Sequence, residues 1–475
     1  MEIADFLDVE RKYKLNELSY NGVNYWNYNR FVLWNYSICS ENLKLGKAHN
    51  KHSFTLIKAI KLICYYSFSL HIFRKHEMIV LNHPRRLFDG KKYECIYTDD
   101  LVDGRYDAQF LEAPYQHSHF RPTISKKISY LDRIIINSEI KLKLFKLFRK
   151  KSYNKMLNEI ETKIKQPIDE LKEIYHWSED TFRIAKILTD TVIRCQYEKK
   201  KYRKIVECIQ PKVIVEVVYY NRYCMLFNEI AKEMKIPTIE LQHGTMYGEH
   251  IAYQYAQNME IPQLPDKIFL FSDFWKQFLN LPIEDSELVV TGYPHFEKRI
   301  REYKRNNKLD NRKTIVFISQ GTIGQYLSKL ARELSERLSS EEYRLIYKLH
   351  PSEYGSWKKE MACLDIASIE VIDDKNVDLY DIFSQSDVQI GVYSTAIFEG
   401  VGFGLQTYIY NVGHYDIMLP LIKQGYAKLI TSADDFVFQF ENNDFVPIEV
   451  DTFWKSNAKI NICNEIDKVI SQKRS

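Results

Sequence analysis

Between residues 213 and 241 an apolar run, a stretch of helical period and a second apolar run follow one another, and no other segment constrains the fold as tightly. Val213-Ile-Val-Glu-Val-Val218 is rich in β-branched residues and reads as a strand. Residues 221–234 repeat their apolar positions at helical spacing, and Pro237-Thr-Ile-Glu-Leu241 is a further strand, closed by His243-Gly244. A strand, a helix and a strand within about thirty residues form a βαβ unit, which implies a parallel sheet covered by helices. Ile268-Phe-Leu-Phe271 and Leu288-Val-Val-Thr291 continue the alternation. Residues 301–313 are polar and charged and form the best linker candidate. The rhythm then restarts, with strands expected at 314–319, 343–349, 369–372, 388–392 and 407–410, and helices at about 324–340, 376–386 and 395–403.

Upstream, Met78-Ile-Val-Leu81 and Cys95-Ile-Tyr-Thr98 read as short buried strands on either side of a polar turn at 89–92. Residues 131–208 are rich in Lys, Glu, Leu and Ile, carry a single proline, Pro167, and predict two or three amphipathic helices. The apolar stretch 57–73 contains Lys58, Lys61 and His71, too polar for a membrane span, and reads as a buried helix. With 475 residues the chain exceeds one ordinary core. The expectation is an α/β protein of two Rossmann-like domains facing an interdomain cleft. The first covers 1–305, with a helical insertion at about 131–208, the second covers 306–451, and a helix in 452–475 packs back toward the first.

Hydrophobic residues at 45% and charged residues at 27% are ordinary for a globular chain, so disorder is not the default. A formal charge of +4 is too small for a protein that coats phosphates, and no nucleic-acid partner is expected. The eight cysteines form no CxxC pair, which removes zinc ribbons and thioredoxin-type motifs and suits a reducing compartment. The first residues, MEIADFLDVERKYK, lack the long apolar run of a secretory signal, so the expected location is cytoplasmic.

Two segments of the second half carry anion-binding chemistry. Lys348-Leu-His-Pro351 follows a predicted strand, and Pro351 restricts the backbone so that His350 is held at the sheet's carboxyl edge. An imidazole there can donate to a phosphate oxygen, and the plainer reading is an ordinary turn. In Asp387-Val-Gln-Ile-Gly-Val-Tyr-Ser-Thr-Ala-Ile-Phe-Glu-Gly400 a strand runs into Ser394 and Thr395 at a helix N-terminus, where hydroxyls, free N–H groups and the helix dipole favour a phosphate. Glu399, about one helical turn on, is placed to accept from a ribose diol. The plainer reading is a routine N-cap.

In this order, Lys-Leu-His-Pro and then Tyr-Ser-Thr-Ala-Ile-Phe-Glu, the segments resemble the C-terminal domain of bacterial GT-B glycosyltransferases of surface-polysaccharide synthesis, particularly the sialyltransferase, polysialyltransferase and Kdo-transferase groups that use CMP-activated sugars. The likeness is motif-level, over roughly residues 210–410. It implies that His350, Ser394 and Thr395 bind the nucleotide's phosphate and ribose, with Glu399 a ribose contact. It also implies a nucleotide-sugar donor as co-substrate, no other cofactor, no metal, and a capsule, lipopolysaccharide or lipid-linked glycan as acceptor. Gly321-Thr322-Ile-Gly324 follows the first strand of that half and forms a short loop suited to donor phosphates. It is neither a dinucleotide fingerprint nor a Walker loop.

The strand Pro237-Thr-Ile-Glu-Leu-Gln-His-Gly244 is similar to one at the cleft face of capsule-type transferases. It offers His243 as donor contact or general acid/base, with Glu240, Gln242 and Gly244 lining the cleft. Gly292-Tyr293-Pro294 resembles the last loop before the hinge. By resemblance to the sialyltransferases' acidic motif, Asp100 and then Asp99 in Tyr97-Thr-Asp-Asp-Leu-Val-Asp-Gly104 are candidates for the base that takes the acceptor proton; Asp103 and His117 lie nearby. The spacing departs from that family's contiguous acidic pair plus glycine. An acidic surface loop is the other reading. Residues 141–151 alternate basic and apolar side chains, as in helices that lie on anionic membranes and equally in packed helices with a solvated lysine face. A teichoic-acid type polyol-phosphate transferase using CDP-glycerol or CDP-ribitol, and a non-catalytic scaffold, are the alternatives to the transferase.

Overall fold

The computed structural model describes residues 3–45, 73–83, 86–88, 90–102, 104–115, 118–125, 128–248, 250–256, 259–303, 310–375, 377–442, 445–449 and 451–472. The helix expected over 57–73 lies outside the described residues except for its last position, as do Asp103, His117 and the centre of the proposed linker, 304–309.

Among the described residues nine strands precede the linker: β1 Met78–Leu81, β2 Leu87–Phe88, β3 Tyr93–Glu94, β4 Ala108–Glu112, β5 Ile128–Tyr130, β6 Val213–Glu216, β7 Thr238–Leu241, β8 Lys267–Leu270 and β9 Leu288–Val290. Apart from the β2–β3 hairpin they form one parallel sheet in the order β5-β4-β1-β6-β7-β8-β9. Six follow it: β10 Lys313–Ile318, β11 Tyr343–Lys348, β12 Ile369–Ile372, β13 Val388–Gly391, β14 Gln406–Tyr410 and β15 Lys428–Ile430. They form a second parallel sheet, β12-β11-β10-β13-β14-β15. Counted by appearance, both sheets run third, second, first, fourth, fifth, sixth, and the first sheet adds a seventh strand at that edge. This is the doubly wound Rossmann order, with its switch point between the first and fourth strands. The expected fold class is therefore borne out.

The helical insertion consists of three helices, Asp132–Phe148, Lys150–Tyr175 and Thr181–Ile209. Because side chains alternate along a strand, β1 sends Ile79 and Leu81 into a core shared with these helices and Met78 and Val80 into another on the opposite face. That second face is covered by the helix Ala458–Gln472, through Ile462, Cys463, Ile466, Val469 and Ile470. Burial on both faces is why β1 is continuously apolar. Among the described residues no helix is long and apolar enough to cross a membrane.

Five strands escape sequence reading: β2, β3, β4, β5 and β15. Conversely, Cys95-Ile-Tyr-Thr98 is a turn entering a short helix, Asp99–Val102, because the Asp99 carboxylate accepts the Cys95 N–H at 2.9 Å and holds the chain bent.

The two units join at an aromatic hinge. Phe296 lies 4.4 Å from Trp454, and Trp275 lies 4.8 Å from Phe398, ring centre to ring centre. The returning segment is tied in by Lys455 N–H to Phe271 O at 2.7 Å and by Glu297, which accepts from the N–H groups of Asn457 and Ala458. Gly292 sits here with φ +100°, and a Cβ at this position would overlap the Lys455 carbonyl and approach the Ala458 Cβ to 2.6 Å. Gly292→Ala is therefore expected to lose about 2 kcal/mol of stability, from a disfavoured backbone and a displaced helix start. Urea denaturation measures it, and a loss below about 0.5 kcal/mol would show that the joint yields.

Candidate functional site

In the second unit the loops after β10, β11 and β13 meet at the carboxyl edge, beside the switch point where ligands of such sheets bind. His350 ends the strand and is exposed. Its backbone N–H donates to Glu353 Oε2 at 2.7 Å, and Glu353 Oε1 accepts from Ser319 Oγ at 3.0 Å. Glu353 thus clamps the His-Pro turn onto β10, and burial pushes its carboxyl up. The Ser352 N–H donates to His350 Nδ1 at 3.2 Å, so Nε2 carries the ring proton and His350 can act as a donor. Pro351 opens the exposed turn. Gly321 lies under Ser352, where a Cβ would come within 2.6 Å of Oγ. Thr322 Oγ1 is hydrogen-bonded to the Tyr393 hydroxyl, which joins the β10 loop to the β13 loop.

Ser394 is the N-cap of helix Thr395–Gly402 and accepts from Ala396 N–H at 3.1 Å, as its plainer reading had it. Thr395 reaches the other unit: its Oγ1 accepts from Thr245 N–H at 3.2 Å and lies 2.8 Å from Thr245 Oγ1. One helical turn on, Glu399 Oε1 accepts from the Tyr380 hydroxyl at 3.0 Å, and burial pushes its carboxyl up to about 7.

In the first unit the corresponding edge carries His83 after β1, Tyr220 after β6 and His243 after β7. The His83 and His243 rings lie 6.3 Å apart and nearly parallel, and Tyr220 OH lies 3.3 Å from His243 Nε2. Burial, with His83 and His250 nearby, lowers His243 to about 3, so the ring is neutral. The Tyr97 hydroxyl donates to the His243 carbonyl at 2.7 Å. Gly244 lies beside Thr395, where a Cβ would make ordinary contact with Oγ1. Tyr293 is buried between Phe271 and Tyr97 and stacks on both.

Two arcs of neighbouring residues thus link the two edges, one ending at Thr245, two residues past His243, and the other at His243 itself. One runs from His350 through Ser352, Gly321, Thr322 and Tyr393 to Thr395 and Thr245. The other runs from Glu399 through Tyr380, His295, Tyr293 and Tyr97.

Four sequence candidates stand apart from these arcs. Glu240 is fully buried beneath the edge, accepts from Tyr219 N–H at 3.0 Å and Tyr253 OH at 2.9 Å, and does not line the cleft. Gln242 is also buried; it donates to Gly244 O and accepts from Phe271 N–H, bracing the turn that presents His243. Asp99 is buried against Arg86 at 3.0 Å. Asp100 is exposed and paired with Lys459 at 2.9 Å, in a charged cavity of about 340 Å³ shared with Glu297, Lys298 and Arg301.

Sequence reading missed His83, Tyr220, Tyr380 and Glu353. For His83 the signal was present: Leu81-Asn-His83-Pro84 repeats, after β1, the strand-His-Pro pattern that drew attention to His350. Among the described residues no three metal-type side chains converge on one point.

No family model matches the chain, and no curated protein matches it. Solved structures with a similar chain path include a UDP-GlcNAc 2-epimerase from Neisseria meningitidis bound to UDP-GlcNAc, with 10% identity, a TM-score of 0.48 and coverage of 82% of this chain and 99% of that one. The wall teichoic acid polymerase TagF has 11% identity and a TM-score of 0.43, over 89% of this chain and 100% of that one. The spinosyn rhamnosyltransferase SpnG has 8% identity and a TM-score of 0.42, over 84% and 96%. The assignment of two Rossmann-type units rests on the strand orders above, and these likenesses add no activity to it.

Proposed function

We propose that the chain is a GT-B glycosyltransferase that moves a sugar from a nucleotide-activated donor, with a CMP-linked acid sugar favoured, to a growing surface glycan. The observation that supports this most is the pair of arcs that link the carboxyl edges of two Rossmann sheets and end at His243 and Thr245 of one loop. In this reading the unit after the linker holds the nucleotide: His350 donates to phosphate, the Thr395 helix start faces it, and Glu399 takes the ribose diol. The unit before the linker receives the acceptor. Asp100, Asp99 and His243 are the candidates for the base: Asp99 is buried against Arg86, Asp100 is paired at the surface with Lys459, and burial holds His243 neutral. The acceptor oxygen attacks the anomeric carbon, its proton passes to the base, and the bond to the donor phosphate breaks to release the nucleotide.

Thermal unfolding of the full chain with CMP, CDP, UDP and GDP tests the assignment. A cytidine nucleotide at about 100 times its Kd is expected to stabilise the fold by about 2.7 kcal/mol, and His350→Ala is expected to remove that gain. Stabilisation by CDP in place of CMP would point to a polyol-phosphate donor. If no nucleotide stabilises the chain, or if His350→Ala responds as the parent does, the proposal fails.

A further inference from the structure

The helix Asp132–Phe148 packs one side onto Thr181–Ile209 through buried Leu142, Ser138 bonded to Glu198 at 2.6 Å, and Lys146 paired with Asp190 at 2.7 Å. Its other side is exposed and apolar: Ile140 and Leu144 are each 46% accessible, Leu147 70% and Phe148 76%. At helical spacing these four fall within one arc of about 120°, with Lys143 along one edge and Lys141 along the other. A packed helix with a solvated lysine face accounts for Leu142 and Lys146, but not for an exposed leucine and phenylalanine at the helix end.

The charge around the stripe is predominantly basic, since Glu139 at its start is paired with Arg194 at 2.6 Å. Residues 140–158 contain seven basic residues and no acidic one. Arg149, Lys150 and Lys151 follow directly on the stripe and are exposed. A second copy of the chain would oppose like charge to like charge. A nucleic-acid backbone would satisfy the lysines and leave the apolar stripe in water. An anionic bilayer surface meets both: acyl chains receive the stripe, and headgroup phosphates receive the lysines above it. We propose that this helix docks the protein on anionic lipid, independently of the reaction it performs.

Co-sedimentation of the full chain with vesicles of equal parts phosphatidylglycerol and phosphatidylcholine tests this. The chain is expected to pellet with these vesicles, less so at high salt, and far less with phosphatidylcholine alone. Leu147→Glu/Phe148→Glu is expected to weaken partitioning by about tenfold or more. Lys143→Gln/Lys150→Gln/Lys151→Gln is expected to erase the preference for the anionic lipid with an unchanged thermal transition. This second variant keeps the test decisive if the first folds poorly. No pelleting of the parent, equal pelleting of both variants, a parent dimer that the variants dissolve, or tighter binding to duplex DNA than to vesicles would each overturn the proposal.

Discussion

Arg86→Ala is expected to remove roughly 3–5 kcal/mol from the stability of the first unit. Arg86 sits between two carboxylates, donating to Asp99 Oδ2 at 3.0 Å and to Glu112 Oε2 from two nitrogens, at 3.0 and 2.6 Å. Glu112 also meets His119 Nδ1 at 2.8 Å, and His119 Nε2 meets Asp132 at 2.9 Å. All five side chains are at most 1% exposed. Burial opposes the charge on His119, but its hydrogen bonds to Asp132 and Glu112 outweigh that and raise its pKa. The chain of charges therefore alternates in sign, and Arg86 is its only fixed positive member. Deleting it leaves Asp99 buried with no cation beside it and Glu112 with His119 alone, which is the expensive way to break a buried pair. Arg86→Lys should fall in between, because one ammonium cannot serve both carboxylates in the same fork. Urea denaturation reads the loss as a shift in midpoint, and a change below about 1 kcal/mol would show that the carboxylates are already neutral.

The second large effect is on pH. Glu216 and Glu240 face each other across β6 and β7, both fully buried. Burial pushes Glu216 up to about 8 and Glu240 up to about 7. Both groups, with Glu399 at about 7, hold protons in the folded chain that the unfolded chain releases above its ordinary carboxyl pKa. Each therefore subtracts about 1.4 kcal/mol per pH unit up to its folded pKa. His119, raised in the fold, contributes stability that is complete below about pH 6.5 and is lost as pH rises through its folded pKa. Burial acts the other way on His243, His250 and His295, lowered to about 3, 4 and 3. Their neutral folded forms make stability rise with pH until the unfolded histidines also lose their protons, near pH 6.5. The opposing groups thus cancel in part below that point, and above it only the falling contributions remain. Stability is expected to be highest at about pH 5.5–6 and to drop by roughly 3 kcal/mol by pH 8. Glu216→Gln keeps an acceptor for Asn228, which donates to Glu216 Oε1 at 2.8 Å, and should shrink that drop by about 2 kcal/mol. Denaturation midpoints at half-unit steps check this. A parent stability that is level or rising across the window, or an unaltered slope in Glu216→Gln, would refute it.

The fold was legible where a strand is buried on both faces and so writes itself as an unbroken apolar run, as at Met78–Leu81. It was illegible where charge is buried. Ala108–Glu112 ends on a glutamate whose partners, Arg86 and His119, come from other elements, and nothing local announces that the carboxylate belongs inside. The same holds at the cleft. A strand-end His-Pro or a Ser-Thr helix start is a local signal, and the sequence displays it. The choice among Asp99, Asp100 and His243 depends on what each side chain touches, and Arg86, Lys459 and Tyr220 reach them from other parts of the fold. Period-two alternation likewise could not tell that Tyr219 and Tyr253 occupy Glu240.

The helix Ala458–Gln472 that closes one face of the first sheet has a bearing on how the chain matures. Its apolar stripe is synthesised only after all six strands of the second sheet, so β1, β4 and β6 hold an uncovered face while the second unit is being made and folded. The second sheet needs no residue from before the linker to pair its strands and can form in chain order. The earlier-made unit is thus the later one to mature, and the contacts that complete it span the whole second unit in sequence, the kind of closure that slows folding and prolongs the exposure of apolar surface.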